Sequence, residues 1–426
     1  MPTTTGLYWF TNDLRVSDND LLHQASEEVD VLICLYCLPT LTPFLCDFSL
    51  QHQLGAPKQR FVAQSAHNLN ATLQRFGQQL WLFESEPTSI LEQVIRQHNV
   101  THFYCSHTAG SDEQHVVANI EVKFPNLNVA QRSVGSLFQL AELPFDLKDL
   151  PDTFTQFRKK VESLPLAKPK TAISLPKKLE SPLSSLTIAS LDSLHDDDFL
   201  GGESAGQSHC GHYYSTHLAS EYKQTRNGLE GMGYSTKFSP WLALGCLSPH
   251  YILQRLNTYE RQQGANDSTY WIYFELLWRE YFYWYGRKYQ DRLFCFSGIT
   301  DQTPTSSFDK QRFEAWVQGE TFYPIVNACM KQLQRTGYMS NRGRQLVASC
   351  LIHELALDWR YGAAYFESQL IDYDVGSNWG NWQYLAGIGA DLRSSRHFNL
   401  HKQTEMYDPD GEFIRKWTQA DQENMR

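Results

Sequence analysis

The chain has 426 residues, of which 42% are hydrophobic, as expected for a globular protein of two or three domains. Its formal net charge of −10 excludes general binding to nucleic acid through overall charge, so any DNA contact requires a local basic patch. No apolar run approaches the roughly 18 residues of a membrane span, and the N-terminus has no basic, signal-like start. We therefore expect a cytoplasmic protein with no membrane contact.

Nine scattered cysteines predict free thiols in a reducing compartment. Cys34 and Cys37 have redox spacing, but their apolar surroundings favour a buried strand. A second cluster combines one thiol with three imidazoles, namely His209, Cys210, His212 and His217. Because no second cysteine pair accompanies this cluster, we predict that there is no metal site.

In chain order, the N-terminal third alternates short apolar runs with amphipathic segments. The runs predict buried parallel strands at residues 7–10, 31–38, 79–83 and 102–105. The segments 58–76 and 89–98 predict helices between them. This β-α-β order predicts a doubly wound α/β domain over residues 1–135.

The next region is rich in Pro, Ser and Lys and has no periodicity, so residues 136–200 are predicted to be a long linker. Helical periodicity dominates from there to the end, which predicts an all-helical domain over residues 201–426. The predicted helices are residues 207–225, 249–262, 268–289, 308–335, 341–356 and 362–370.

Within the predicted helix 268–289, Glu275, Trp278 and Arg279 share one face because they are spaced i, i+3 and i+4. A surface ion pair is one interpretation of this pattern. The helix is aromatic on nearly all sides, however, which is typical of burial. Since unpaired buried charge is costly, we expect Glu275 and Arg279 to face a cavity or a ligand.

Two further segments carry polar groups that suit a ligand. Asn341, Arg344 and Gln345 share a second helical face, which suits a phosphate, a flavin edge or a base, although a solvated helix start is the alternative. The loop "GMGYSTKFS" at residues 231–239 offers backbone amides and hydroxyls that can hold phosphate. It matches neither the dinucleotide-binding fingerprint nor the P-loop.

The segment "IDYDVGSNWGNWQYLAGIG" begins at Ile371. A helix that starts near Val375 places Asp374, Asn378 and Trp382 on one stripe. Trp359 lies just before the preceding short helix, so the two tryptophans are either core packing or stepping stones for an electron.

The residues considered so far resemble the photolyase/cryptochrome flavoproteins, most closely the DASH cryptochromes, over nearly the whole chain. Six blocks carry the resemblance: "YWFTNDLRVSDNDLL", "GGESAG", "YKQTRNGLEGMGYSTKFSPWLALGCLSP", "ELLWREYF", "GYMSNRGRQLVASCLIHELALDWRYGAAYFESQLIDYDVGSNWGNWQYLAGIGADLR" and "YDPDGEFIRKW". The fifth block is the most specific, because agreement over its length does not arise by chance.

The resemblance implies an α/β antenna domain joined to a helical domain that binds FAD. Residues matching positions around the FAD phosphates and ribityl chain are Tyr222, Ser235, Thr236, Lys237, Phe238 and Ser239. Residues matching positions around the isoalloxazine are Arg279, Arg344, Asp372, Asp374 and Asn378, of which Asn378 faces flavin N5. "GGESAG" also argues against zinc, since the family has no metal there.

The resemblance also implies a substrate wall and an electron relay. Residues matching or predicted for DNA contact are Glu275, Trp278, Asn341, Arg342, Gln345, Tyr384, Arg393 and Arg396. Gln345 and Tyr384 stand where duplex photolyases commonly have methionine and a second tryptophan. Trp382 and Trp359 match the inner and middle relay members and, with Glu275 and Asn378, form the predicted catalytic group. Ser306 stands at the outer position, so Trp316 or a tyrosine is expected to replace that member.

The implied activity is light-driven repair of cyclobutane pyrimidine dimers, in which excited reduced FAD lends an electron to the dimer. We predict a monomer that prefers single-stranded DNA. Glu113 matches the position that holds a folate antenna, 5,10-methenyltetrahydrofolate. A blue-light photoreceptor with little repair activity is the alternative. A flavin oxidoreductase has no support, because the chain lacks an NAD fingerprint.

Overall fold

The structure, a computed structural model, describes residues 3–170, 174–179, 199–300, 302–390 and 396–423. The strands in these ranges are β1 (Thr5–Phe10), β2 (Val31–Cys37), β3 (Leu80–Phe83), β4 (His102–Ser106), β5 (Asn128–Arg132) and β6 (Lys177–Lys178). The helices before the second half of the chain are α1 (Asp20–Glu28), α2 (Pro43–Ser49), α3 (Ala56–Arg75), α4 (Pro87–Gln97), α5 (Ser111–Lys123) and α6 (Phe154–Val161).

The second half of the chain is helical. Its helices are α7 (Glu203–Tyr214), α8 (Leu218–Thr225), α9 (Ser239–Ala243), α10 (Pro249–Gln263), α11 (Asp267–Tyr289), α12 (Lys310–Gln318), α13 (Pro324–Thr336), α14 (Asn341–Ser349), α15 (Trp359–Gln369), α16 (Val375–Ala386), α17 (Leu400–Tyr407) and α18 (Glu412–Glu423). A π-helical turn, Cys350–Glu354, follows α14.

The strands form one parallel sheet in the order β3-β2-β1-β4-β5, and the short β6 pairs with the start of β2. This arrangement confirms the predicted doubly wound sheet. The apolar runs predicted β1 to β4 because those strands are buried on both faces. They did not predict β5 (Asn128–Arg132), which has three polar residues among its five and lies partly exposed at the edge of the sheet. The strand order reverses between β1 and β4, which leaves a crevice at the carboxyl ends of these strands.

The two faces of the sheet belong to different cores. Leu7 and Trp9 point to a small core that includes residues of α4 and α5. Tyr8 and Phe10 point to a larger core that is continuous with the helical half of the chain. Side chains alternate between faces along a strand, so a single strand contributes to both cores.

The block "YWFTNDLRVSDNDLL" connects the two halves of the molecule. The buried Arg15 donates through Nη1 to the Gly245 carbonyl oxygen at 2.9 Å and through Nη2 to the Val134 carbonyl oxygen at 2.8 Å. The Glu203 carboxylate accepts from the backbone N–H groups of Val16 and Ser17 at 3.0 and 3.1 Å. A buried charge requires such partners, and here they come from both domains.

The region predicted as a linker is more ordered than its composition indicates. Its helix α6 buries Phe154, Phe157 and Val161. The ring of Phe154 stacks on Trp278 of α11, with the centroids 3.8 Å apart. Part of this segment therefore packs as core, while the proposed boundaries at residues 135 and 200 remain a prediction.

The predicted helices are present, but three of them are divided. The pattern 207–225 forms α7 and α8. The pattern 308–335 forms α12 and α13, because α12 ends at Gly319 with a left-handed φ of 65° and Pro324 begins α13. The pattern 341–356 passes from α14 into the π-helical turn. Along the described ranges, no helix combines the length and apolar character needed to cross a membrane.

Candidate functional site

The loop at residues 231–239 has a backbone suited to an anion. Ser235 and Lys237 have φ angles of 68° and 56°, in the left-handed region that non-glycine residues rarely occupy. Phe238 then returns to the right-handed helical region. Alternation of this kind points successive N–H groups toward one concavity, which binds anions such as phosphate. The Thr236 carbonyl oxygen, 2.8 Å from His209 Nε2, anchors the loop.

Two aromatic side chains, Tyr222 beside this loop and Phe238 within it, are buried. Tyr222 is buried, its hydroxyl hydrogen-bonds Ser235, and burial raises its pKa to about 12. The Phe238 ring packs against Tyr213 and Tyr214 at centroid distances of 5.3 and 5.9 Å. Phe238 can therefore serve a cofactor through its backbone only, whereas the resemblance placed it among the cofactor-binding residues without that distinction.

Tyr338, which the sequence reasoning missed, joins this loop to the next part of the site. The Lys237 ammonium lies 4.8 Å from the Tyr338 ring centroid and the Arg344 guanidinium lies 5.5 Å from it. The Tyr338 hydroxyl hydrogen-bonds Ser239, and burial raises its pKa. Its only sequence signal is its place in "GYMSNRGR", three residues before the start of the predicted basic helix.

Arg344 and Asp372 form a close ion pair. The Nη2 atom of Arg344 lies 2.9 and 2.7 Å from the two Asp372 carboxylate oxygens, and the Asp372 side chain is only 2% exposed. Burial opposes the charge on Arg344, but the Asp372 carboxylate outweighs it and the pKa of the guanidinium is raised. Arg344 Nε donates to the Met339 carbonyl oxygen at 2.9 Å, which fixes the direction of the guanidinium.

The predicted stripe of α16 is divided between two neighbours. Asp374 caps the helix by accepting from Ser377 N–H at 2.8 Å and lies 3.5 Å from Arg279 Nη2 on α11. Asn378 donates through Nδ2 to the Ala363 carbonyl oxygen of α15 at 3.0 Å. Arg279 also donates to the Gly135 carbonyl oxygen at 2.6 Å, so this predicted cofactor residue touches the α/β side as well.

The donor set fits the cofactor that the resemblance implies. A concave run of backbone N–H groups and the Lys237 ammonium suit a pyrophosphate. Arg344, paired with Asp372, offers a guanidinium to the polar edge of a flavin. Asn378 is neutral and adds no charge to the wall it lines. The described ranges hold no group of three or more His, Cys, Asp or Glu side chains arranged for a metal ion.

Two of the predicted substrate residues, Glu275 and Arg342, contact Arg226 and Asn227, which are neighbours in the chain. The predicted substrate residues are together called the second wall. Glu275 pairs with Arg226, and the Arg226 guanidinium lies 4.4 Å from the Trp271 ring centroid. Arg342 donates to Asn227 Oδ1 at 3.3 Å, and its guanidinium lies 4.7 Å from the Tyr407 ring centroid. Arg226 and Asn227 were not predicted, although both lie within the quoted block "YKQTRNGLEG".

The other predicted substrate residues have separate surroundings. The Arg396 guanidinium lies 5.0 Å from the Tyr384 ring centroid. Gln345 Oε1 is buried without a hydrogen-bond partner among the described residues. Asn341 is exposed. Trp278 is partly covered, because Phe154 stacks on one of its faces. Arg393 lies outside the described residues.

Each of the two predicted relay tryptophans, Trp382 and Trp359, packs against a further tryptophan. Trp382 and Trp359 are 2% and 1% exposed. The ring of Trp382 contacts Trp316 at 6.4 Å between centroids, and the ring of Trp359 contacts Trp379 at 5.8 Å. Trp316 is fully buried, which favours a tyrosine over Trp316 as the predicted end of the relay.

The segment at the predicted outer position of the relay lies near a tyrosine. The segment around Ser306 runs beside the start of α15, because Asp358 N–H donates to the Ser307 carbonyl oxygen at 3.0 Å. Nearby, the partly exposed Tyr361 stacks on the exposed Phe308 at 4.1 Å between ring centroids. Tyr361 is therefore a better candidate than Trp316 for an outer member.

Glu113 lies on the first turn of α5, beside the crevice where the strand order reverses. It accepts a hydrogen bond from Thr108 Oγ1 at 3.3 Å, and burial raises its pKa. Burial and the nearby Arg287 charge lower the pKa of the neighbouring His107 to about 4. The predicted antenna residue thus lies in a polar, partly enclosed position between the two domains.

The cysteine and histidine clusters have ordinary structural roles. Cys34 and Cys37 are buried in β2, as predicted, and burial raises the pKa of both thiols to about 12. Cys210 is buried in the core, and His209 stacks on Trp241 at 4.8 Å between ring centroids.

Two protein-family models match the chain. Residues 6–176 match the model described as DNA photolyase, and residues 271–423 match the FAD binding domain of DNA photolyase. These matches, together with the geometry above, define an FAD-binding protein of the photolyase class.

Comparison with similar proteins shows to which branch of the photolyase class the chain belongs. The chain is 58% identical to a cryptochrome DASH of Vibrio parahaemolyticus, over 99% of the chain and 95% of the relative. It is 50% identical to a cryptochrome DASH of Idiomarina loihiensis, over 97% and 92%. A crystal structure of a Synechocystis cryptochrome has a TM-score of 0.89 at 38% identity, covering 98% of this chain and 89% of that one. The chain therefore belongs to the photolyase/cryptochrome family, in its cryptochrome DASH branch.

The family assignment confirms the predicted fold. A class III photolyase from Agrobacterium tumefaciens shares it with a TM-score of 0.81 at 24% identity, over 98% of this chain and 87% of that one. The α/β and helical halves are the two parts expected from the resemblance.

Proposed function

We propose that this protein repairs cyclobutane pyrimidine dimers in single-stranded DNA under blue light. One observation carries the proposal: α14 serves both walls of the site. Its Arg344 pairs with Asp372 on the cofactor side, while Arg342 and Gln345 belong to the substrate wall. A cofactor held by the first wall would lie beside the two linked bases of a dimer held by the second.

FAD supplies the electron chemistry when it is bound. The chain's own residues place it and shape its surroundings. The loop with Ser235 and Lys237 would hold the phosphates through backbone N–H groups, and Arg279 and Arg344 would meet the flavin edge. Asn378, fixed by its 3.0 Å hydrogen bond to the Ala363 carbonyl oxygen, would meet flavin N5 without adding charge.

Recognition of the dimer falls to the second wall. Glu275 is oriented by Arg226 and would accept hydrogen bonds from the bases. Gln345 has a buried amide oxygen without a partner among the described residues. Leaving such a group unsatisfied costs about 1–3 kcal/mol, and a base N–H group would relieve that cost. Arg342 and Arg396 supply local positive charge to a chain of net charge −10.

The preference for single strands follows from the same wall. Extruding a dimer from a duplex costs a few kcal/mol, whereas each base stacked on an aromatic ring contributes about 1–3 kcal/mol. Tyr384 presents a smaller ring than tryptophan, and Gln345 presents a polar amide. Both reduce stacking by an amount comparable with the extrusion cost.

Three further features accompany this proposal. Glu113 would hold a folate antenna in the crevice beside β4. The relay from Trp382 and Trp359 would reduce the cofactor in light. The protein would act as a cytoplasmic monomer.

The decisive experiment uses purified full-length protein. Its absorption spectrum is recorded for bound flavin, and oligonucleotides with one dimer are incubated with it in blue light and in the dark. We expect a yellow protein and repair of single strands only in light. A folded protein that fails to take up FAD would contradict the whole proposal. If the protein binds FAD and photoreduces it but repairs no dimers, even after chemical reduction of the flavin, this result would favour the photoreceptor alternative.

A further inference from the structure

Glu367 belongs to a cluster of four side chains that the proposed repair chemistry leaves unused. Trp379 Nε1 donates to Glu367 Oε2 at 2.8 Å. The Tyr373 hydroxyl hydrogen-bonds the same carboxylate. Lys58, which comes from α3 of the α/β domain, donates to the Glu367 carbonyl oxygen and lies 4.6 Å from the Tyr373 ring centroid. The cluster therefore joins the two domains around one carboxyl group.

The cluster lies against the relay. Trp379 is fully buried, and its ring packs edge-on against Trp359 with the centroids 5.8 Å apart. Glu367 is one helical turn after Ala363, whose carbonyl oxygen holds the Asn378 amide. The Trp379 indole therefore contacts Trp359, a predicted relay member. In the chain, Trp379 directly follows Asn378, a predicted cofactor residue.

The electrostatic surroundings make Glu367 able to exchange a proton near neutral pH. Burial raises its pKa to about 7. Lys58 and the hydrogen bonds from Tyr373 and Trp379 oppose this rise, and Asp112 on α5 adds to it. Burial lowers the pKa of Lys58 to about 8, against the attraction of Glu367 and Asp372. Lys58 thus stays mainly cationic at the pH where the carboxyl group titrates.

We propose that Trp379 is a further electron donor of the relay and that Glu367 accepts its proton. This inference rests on the proposed photoreduction. When Trp359 has lost an electron, Trp379 returns one to it. The N–H bond of the Trp379 indole breaks, and its proton forms an O–H bond with Glu367 Oε2. The products are an intact Trp359, a neutral radical on Trp379 and a protonated carboxyl group.

The cycle closes with an external reductant. A thiolate in solution supplies one electron to the Trp379 radical and becomes a thiyl radical, and the proton on Glu367 returns to the indole nitrogen. The net change is one electron moved from the thiolate to the cofactor site. Proton transfer requires the ionised carboxylate, so the neutral radical should form mainly above the pKa of Glu367.

The test follows radicals in the FAD-loaded, full-length protein by time-resolved absorption after a blue flash, with a thiol present. In the wild type we expect the yield of neutral tryptophan radical to rise several-fold between one pH unit below and one above pH 7. Glu367→Gln keeps a hydrogen-bond acceptor but cannot take the proton. Glu367→Gln should therefore remove the rise in radical yield with pH, called the pH step, and the solvent isotope effect that a proton transfer causes. Trp379→Phe should remove both as well.

The chain offers a matched control in a second indole–carboxylate pair. Trp284 Nε1 donates to Glu280 Oε1 at 2.6 Å, and the Trp284 ring packs on Tyr283, away from the relay tryptophans. Glu280→Gln should therefore leave the radical yield and its pH step unchanged. An infrared band of a protonated carboxyl group that titrates near pH 7 should be present in the wild type and absent in Glu367→Gln.

Several results would overturn the inference. These are an unchanged pH step in Glu367→Gln or in Trp379→Phe, the same loss in Glu280→Gln, or no tryptophan radical in the wild type. Failure of the proposed repair would show differently. Protein with chemically reduced FAD needs no relay, so absence of dimer repair under those conditions contradicts the repair proposal alone and leaves the radical measurements standing.

Discussion

Replacing the two unusual residues of the substrate wall is expected to extend repair to duplex DNA. In Gln345→Met with Tyr384→Trp, the pocket gains an indole for stacking and loses a buried amide oxygen that has no partner among the described residues. A base–aromatic stack contributes about 1–3 kcal/mol, which is comparable with the few kcal/mol that extrusion of a dimer costs. The Arg396 guanidinium, now 5.0 Å from the Tyr384 ring centroid, can pack on the indole in the same way.

The expected magnitude follows from these terms. A gain of about 1.4 kcal/mol corresponds to a factor of ten, so repair of the duplex should rise about tenfold or more. Gln345→Met alone should also raise the free energy of unfolding of the DNA-free protein by about 1–3 kcal/mol, because an unsatisfied buried oxygen is removed.

The assay compares repair yields on matched single-stranded and duplex oligonucleotides, each with one dimer, at equal low concentration and with chemically reduced FAD. Gln318→Met, at an exposed position on α12, is the control for a glutamine-to-methionine change away from the wall. Duplex repair within twofold of the wild type in the double variant would refute the reasoning, and so would equal repair of both substrates by the wild type.

Three further predictions concern the relay, the cofactor pair and DNA affinity. Trp382→Phe should abolish or greatly slow photoreduction, and Trp359→Phe should weaken it, while repair with chemically reduced FAD survives better; a wild-type rate in Trp382→Phe contradicts the relay. Asp372→Asn should lower the free energy of unfolding of flavin-free protein in urea by about 3–5 kcal/mol, since it leaves a buried charge without its partner. Glu230→Gln, which breaks a surface pair, should cost about 1 kcal/mol or less; equal effects would refute this reasoning. Arg342→Ala should reduce the slope of log affinity against log salt by about 0.7 for single-stranded DNA, and an unchanged slope would exclude a phosphate contact.

Local pattern was sufficient for much of the architecture. The apolar runs predicted β1 to β4 because strands buried on both faces must be apolar throughout. Helical spacing predicted α10 and α11 nearly to the residue, because an amphipathic or fully buried helix leaves its period in the sequence. The family resemblance was also readable from the chain, because residues 337–393 retain a long, specific block.

Other features depended on partners that are distant in the sequence. Phe238 was predicted beside the cofactor, but its ring packs into the core against Tyr213 and Tyr214. Trp316 or a tyrosine was expected to end the relay, and Trp316 is buried against Trp382. Neither position is readable from spacing, because the direction of a side chain is set by the helices that close around it.

By itself, the sequence determined the strands, most helices and the chemical types gathered in the site, since each of these leaves a local pattern of hydrophobicity, charge or motif. Only the tertiary structure decided which groups meet. Lys58 of α3 reaches the Glu367 cluster across 309 residues, and Arg15 binds the Gly245 carbonyl oxygen across 230. Such pairings arise because buried polar groups must find partners within a closely packed interior. The partner that a buried group can reach depends on how the two domains pack, which local sequence patterns do not determine.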